Sequence, residues 1–161
     1  MADRGSLWSW KPFKYQSHQQ RRDSMIESEI KVRFCETDAL GHVNNTSYFV
    51  YLEQARVEFF EELGAPMGMS EWPFILGHIS CDFLRQVYFN QRLKVRTGIS
   101  HIGNKSFRLG QELLDADSGV PVGRSESVMV YFDFEKQQSI PIPDDWVKKL
   151  KAHQVEPMEN R

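Results

Sequence analysis

The sequence predicts an α+β domain in which one curled antiparallel sheet wraps a single long helix. Residues 46–63 form the one long stretch with helical spacing. Residues 74–134 hold four long stretches of two-residue period, joined by tight turns. A shorter stretch of the same period, 28–34, precedes the helix. Consecutive strands linked by hairpins run antiparallel. A sheet with one face to bury and a helix with an apolar face bury each other economically if the sheet curls around the helix.

In 28–34, Ile30, Val32 and Phe34 alternate with Glu29, Lys31 and Arg33, as a half-buried strand does. Residues 35–45 are polar and contain Gly41, so they read as a loop. In 46–63, Tyr48, Leu52, Ala55, Phe59 and Leu63 recur at steps of three or four. Asn44 or Asn45 can cap the start, and Gly64 stands where a helix-terminating glycine belongs. Phe49 and Phe60 widen the apolar stripe, and Glu53, Glu58, Glu61 and Glu62 fall mostly outside it.

After a Gly/Pro/Met-rich link the period becomes two. Ile75, Ile79, Cys81, Phe83, Val87 and Phe89 are expected to share a face in 74–89. Leu93, Val95, Thr97 and Ile99 do so in 93–102, against Lys94, Arg96 and Ser100. Phe107, Leu109 and Leu113 do so in 106–114, and Val120, Val122, Val128, Val130, Phe132 and Phe134 in 120–134. Ile102–Lys105 and Asp115–Gly119 supply turns, and Pro143-Asp144-Asp145-Trp146 begins a short helix.

The 161 residues, 40% hydrophobic and 26% charged, suit one ordinary globular domain. A net charge of −2 gives no domain-wide basic footprint for nucleic acid. No apolar run approaches the length of a membrane span, and no secretory signal is evident. Two isolated cysteines, Cys35 and Cys81, point to reduced thiols and a cytoplasmic location. The domain is expected over 26–161. Residues 1–25 form a basic, aromatic extension with Trp8, Trp10, Phe13 and Tyr15, either disordered or docked on a surface.

The run Asp38-Ala-Leu-Gly-His-Val-Asn-Asn-Thr-Ser-Tyr48 carries the functional signal. It sets a carboxylate in a loop just ahead of a helix N-terminus, where unpaired N–H groups and the helix dipole meet. A base beside a ready-made oxyanion site can hydrolyse an activated acyl group. The same residues have structural uses. Asp38 can cap a turn, His42 can bond to backbone, Asn44 and Asn45 can cap the helix, and Glu53 can pair with Arg56 at i,i+3.

The chain carries Val32-Arg33-Phe34, Glu36-Thr37-Asp38, Gly41-His42-Val43-Asn44-Asn45, Tyr48 and Tyr51-Leu52-Glu53-Gln54-Ala55-Arg56 in that order. In these motifs it resembles the hotdog-fold acyl-CoA thioesterases of the 4-hydroxybenzoyl-CoA thioesterase type. The resemblance implies Asp38 as catalytic carboxylate, acting as base or nucleophile. It implies an N–H near Asn45, Thr46 and Ser47 on the thioester oxygen. It also implies active sites shared between subunits of a homodimer or homotetramer joined edge to edge. Catalytic candidates are therefore Asp38, His42, Asn44 and Asn45, and substrate-binding candidates are Thr46, Tyr48, Glu53, Gly103, Lys105 and Ser106.

Lys94, Arg96, Lys105 and Arg124 can either meet coenzyme A phosphates or lie on a solvated face; the turn Gly103–Ser106 is the best local phosphate site. No cofactor is expected, coenzyme A being part of the acyl-CoA substrate, and Cys35, His42, His78 and Cys81 lack paired metal-ligand spacing. Cys35 has no orienting third group for a Cys–His nucleophile. No G-x-S-x-G elbow is present. The competing readings are an acyl-carrier-protein thioesterase and a non-catalytic acyl-CoA-binding protein.

Overall fold

The computed structural model describes residues 24–68 and 71–155, so most of the N-terminal extension lies outside the described residues. The elements run β1 (Ile26–Lys31), a 3-10 turn (Phe34–Glu36), α1 (Asn45–Glu62), β2 (Phe74–Phe83), β3 (Arg92–Ile102), β4 (Ser106–Asp115), β5 (Pro121–Asp133), β6 (Gln138–Ser139) and α2 (Asp144–Ala152). Sheet order is β1-β3-β4-β5-β2, with β6 beside β5, and every pairing is antiparallel. The sheet curls around α1, which is the hotdog arrangement. No described helix is long and apolar enough to cross a membrane.

The helix forms where its spacing predicts. Asn44 is the N-cap, its side chain accepting from the Thr46 N–H, and Gly64 follows the C-cap at φ +76°. Tyr48, Leu52, Ala55, Phe59 and Leu63 are all buried. They divide between two apolar clusters. One lies at the α2 end and holds Phe59, Phe60, Phe74, Phe107 and Trp146. The other lies towards the loop and holds Tyr48, Leu52, Leu93, Val95 and Leu113. On the inner face of the sheet Gln111 is fully buried. Its Nε2 donates to the Leu52 carbonyl at 3.0 Å and to Thr97 Oγ1 at 3.2 Å.

Several expected strand boundaries and faces are corrected. The first strand ends at Lys31, and Phe34 turns out to 77% exposure because the chain coils into the 3-10 turn. The stretch 74–89 is strand only to Phe83. A register shift between Leu76 and His78 moves its phase by one, so Phe74, not Ile75, is buried on the side that Ile79 and Cys81 share. A second shift, where β4 and β5 meet at Leu113 and Leu114, inverts the later part of β5. Ser125, Ser127 and Met129 are buried there, rather than Val128 and Val130. A one-residue bulge sends every later side chain to the other face.

Candidate active site

The loop before α1 is closed by its own backbone. The Asp38 N–H donates to the His42 carbonyl at 2.8 Å, and the Gly41 N–H to the Asp38 carbonyl at 3.0 Å. Gly41 takes φ +77°, a conformation that glycine adopts without penalty. Asp38 Oδ1 accepts from the Leu40 N–H at 2.8 Å and the His42 N–H at 3.3 Å. One carboxylate oxygen thus shapes the turn, while no hydrogen bond among the described residues engages Oδ2. The loop is tied down by Val43 N–H on the Val87 carbonyl, 2.7 Å, and by Asn44 N–H on the Glu36 carbonyl, 2.8 Å.

At the start of α1 the Thr46 N–H goes to Asn44 Oδ1, 3.0 Å, and the Ser47 N–H to the Asn44 carbonyl, 2.9 Å. The Asn45 N–H has no partner among the described residues. Asp38, His42, Asn45 and Tyr48 line one open cleft of about 360 Å³, walled opposite by Phe83–Val87. His42 is half-buried, its ring set edge-on to Tyr88 at 5.4 Å, and neither ring nitrogen has a described partner. Tyr48 donates its hydroxyl to the Arg85 carbonyl at 3.2 Å and packs on Phe83 at 5.0 Å. Burial, with Cys81 adding to it, pushes its phenol up to about 12, so it stays protonated at neutral pH.

Other sequence candidates sit elsewhere or have different tasks. Asn44 spends its side-chain oxygen on the cap, where it also accepts the Thr46 hydroxyl at 2.8 Å. Glu53 faces solvent and does not line the cleft. No ion pair within 4.0 Å joins Glu53 to Arg56 among the described residues; Arg56 turns inward, and its Nη1 is buried without a partner. Lys94 and Arg96 pair with Glu27 at 2.6 and 3.0 Å, across β1 and β3.

Gly103, Lys105 and Ser106 do not meet Asp38 within one chain. They form the β3–β4 hairpin, at the far end of the 11-residue β3 from the loop. At about 3.3 Å per residue that is roughly 30 Å away. There Lys105 donates to the Ser139 carbonyl at 3.0 Å. No group of three His, Cys, Asp or Glu is placed to hold a metal ion among the described residues.

Sequence reasoning gave no role to Glu36. It is buried beneath the loop, with Arg33 and the Tyr51 hydroxyl on its carboxylate. Burial raises its pKa, but the Tyr51 and Arg33 hydrogen bonds more than offset this and hold it below the usual carboxylate value. The Arg33–Glu36 spacing of three, bridging a strand end and a turn, was the available signal. The cleft wall after Phe83 was hidden because the segment reads as more strand.

The loop, the open helix terminus and the curled sheet define a class of protein, and comparison with known proteins agrees. Residues 32–150 match the thioesterase-like superfamily, and the chain belongs to that family. Among solved structures it is similar to one reported as a predicted thioesterase from Bacillus stearothermophilus. The two share 34% identity and a TM-score of 0.78, over 83% of this chain and 99% of the other. YsmA of Bacillus subtilis is 30% identical over 73% of this chain and 80% of its own length. Escherichia coli FadM, a long-chain acyl-CoA thioesterase, is 24% identical over 78% of this chain and 96% of its own length. The resemblance carried by the motifs from Val32 to Arg56 therefore holds at the level of the family.

Proposed function

We propose that the chain hydrolyses an acyl-CoA to a free carboxylic acid and coenzyme A in the cleft between Asp38 and Asn45. The observation that carries this is the pairing, in one cleft, of a carboxylate oxygen and a helix N–H that have no described partner. The thioester carbonyl oxygen sits on the Asn45 N–H. Asp38 removes a proton from a water as that water attacks the carbonyl carbon. The tetrahedral intermediate then collapses, the C–S bond breaks, and the sulfur leaves as thiolate. A thiol pKa near 8.5 makes a strong general acid unnecessary. His42 faces the same space and orients the water or the carbonyl. No cofactor takes part.

The functional unit in this reading is a homodimer, or a tetramer built from it. Among the described residues β2 pairs with β5 alone, which leaves its other edge without a strand there, and Leu76 and Phe83 on it are exposed. Antiparallel pairing of two β2 edges would set the partner's Phe74 end beside Phe83. That turns the β3–β4 hairpin, with Lys105 of the partner subunit, towards the coenzyme A side of the cleft. A thiol-release screen over short, medium, long-chain and aromatic acyl-CoAs tests the activity. Turnover of at least one class is expected; binding of acyl-CoA without thiol release would make the protein a non-catalytic acyl-CoA binder.

A further inference from the structure

Glu36 contacts no substrate space, yet it is the most heavily bonded acid near the site. Its side chain is buried. Oε1 accepts from Arg33 Nε at 2.7 Å and Nη2 at 2.5 Å. Oε2 accepts from the Arg33 backbone N–H at 2.7 Å and the Tyr51 hydroxyl at 2.6 Å. The Glu36 carbonyl accepts from the Asn44 N–H at 2.8 Å and the Ser47 hydroxyl at 3.3 Å. Tyr51, Asn44 and Ser47 all belong to the beginning of α1 or its cap. One residue thus fastens the turn before the loop to the first two turns of the helix after it.

The geometry of the site depends on that fastening. Asp38 stands two residues after Glu36, and Asn45 directly follows Asn44, whose N–H rests on the Glu36 carbonyl. Asp38 and Asn45 come from different local structures, a loop and a helix, which could otherwise shift against each other. We infer that Glu36 is a positioning residue, which holds Asp38 and the Asn45 N–H at a fixed separation on opposite sides of the reacting carbonyl. The inference rests on the thioesterase reading above. It differs from a merely structural role because the six contacts end on the turn and the helix start, and none reaches the β3–β4 centre of the sheet.

The test uses the full chain with Glu36→Gln and Tyr51→Phe. The substituted amide keeps one acceptor oxygen, but it turns an N–H group on the Arg33 and Tyr51 donors and removes the charge. A misplacement of about 1 Å costs about a hundredfold in rate, so kcat in E36Q is expected to fall tenfold to a hundredfold, with KM changed less than about twofold. Y51F should fall less, and the double variant should lose less than the product of the two single losses, because both act through one carboxylate.

Amide hydrogen exchange supplies a readout apart from activity. The Asp38 and Asn44 N–H groups should exchange at least about tenfold faster in E36Q, with β3 and β4 amides at wild-type rates. Unchanged kcat, unchanged loop exchange, or loss of protection throughout β3 and β4 would each overturn the inference. If wild-type protein releases thiol from no acyl-CoA, the thioesterase reading fails, and loop exchange still decides whether Glu36 clamps the loop.

Discussion

Asp38→Asn separates the two tasks that the structure gives this side chain. Oδ1 shapes the loop by accepting from the Leu40 and His42 N–H groups. An asparagine oxygen can accept both, so the turn should persist. The second oxygen, which no described residue engages, becomes an amide that cannot take a proton from water. A general base contributes about 10²–10⁴-fold, or about 3–5 kcal/mol of activation free energy at 1.36 kcal/mol per decade. D38N is therefore expected to lose that factor in kcat, with KM changed little and an unfolding midpoint close to wild type. Asp38→Ala should lose the rate and also lower the midpoint, since the two loop N–H groups lose their acceptor. The assay is continuous detection of released thiol on the best acyl-CoA, with thermal unfolding of all three proteins. If D38N keeps more than about half of wild-type kcat, Asp38 is not the base.

Asn44→Ala should cost about 1 kcal/mol through loss of the helix cap, lowering the unfolding midpoint by about 2–4 °C for a chain of this size; an unchanged midpoint would show the cap to be dispensable. Asp115 accepts from the Ser118 hydroxyl, Gln91 and the Ser118 N–H, in that order of effect, which holds its pKa at about 2 against an ordinary 3.8. A depressed acid stabilises the fold above its ordinary value, and that contribution is lost as pH falls towards 2. Acid unfolding of Asp115→Asn should therefore show a shallower slope over this window, and identical curves would contradict it. Burial, with Asp82 adding to it, pushes the Cys81 thiol up to about 11, whereas Cys35 is exposed. Native protein treated with an alkylating reagent at neutral pH should be modified at Cys35 well before Cys81, read by mass spectrometry. Equal rates would mean that the β2 edge opens.

The long helix was legible because Tyr48, Leu52, Ala55, Phe59 and Leu63 keep their spacing over four turns, and both caps are local signals. The hairpins were legible for the same reason: Asp115–Gly119 carries its turn chemistry within five residues. Strand faces were not, wherever a bulge intervened. Nothing in the alternation of β5 marks the shift near Leu114, so Val128 and Val130 read as core while Ser125 and Ser127 occupy it. Asp38, His42, Asn45 and Tyr48 were found together because a loop and the helix that follows it are neighbours in sequence. Lys105 and its turn were grouped with them by chemistry, but no sequence rule gives the length of sheet between two hairpin ends. Glu36 stands in the motif Glu36-Thr37-Asp38, but its burial depends on Tyr51, a full fifteen residues on, which no local pattern conveys.

Gln111 lies on β4 between Leu109 of one apolar cluster and Leu113 of the other, and its amide reaches the helix at the Leu52 carbonyl. Aliphatic and aromatic side chains tolerate small sliding, since one greasy contact replaces another. A directed amide does not. Advancing α1 by one residue would move it 1.5 Å along its axis and turn it by about 100°. Gln111 would then face a side chain instead of a carbonyl. The N–H that loses the Leu52 carbonyl is then left without a partner at zero exposure, which costs about 1–3 kcal/mol, while the bond to Thr97 Oγ1 on the sheet persists. The sheet therefore carries a vernier for the helix: it discriminates against settings that the apolar layers alone would accept. The terminus that presents the Asn45 N–H inherits its placement from a contact two helical turns below it.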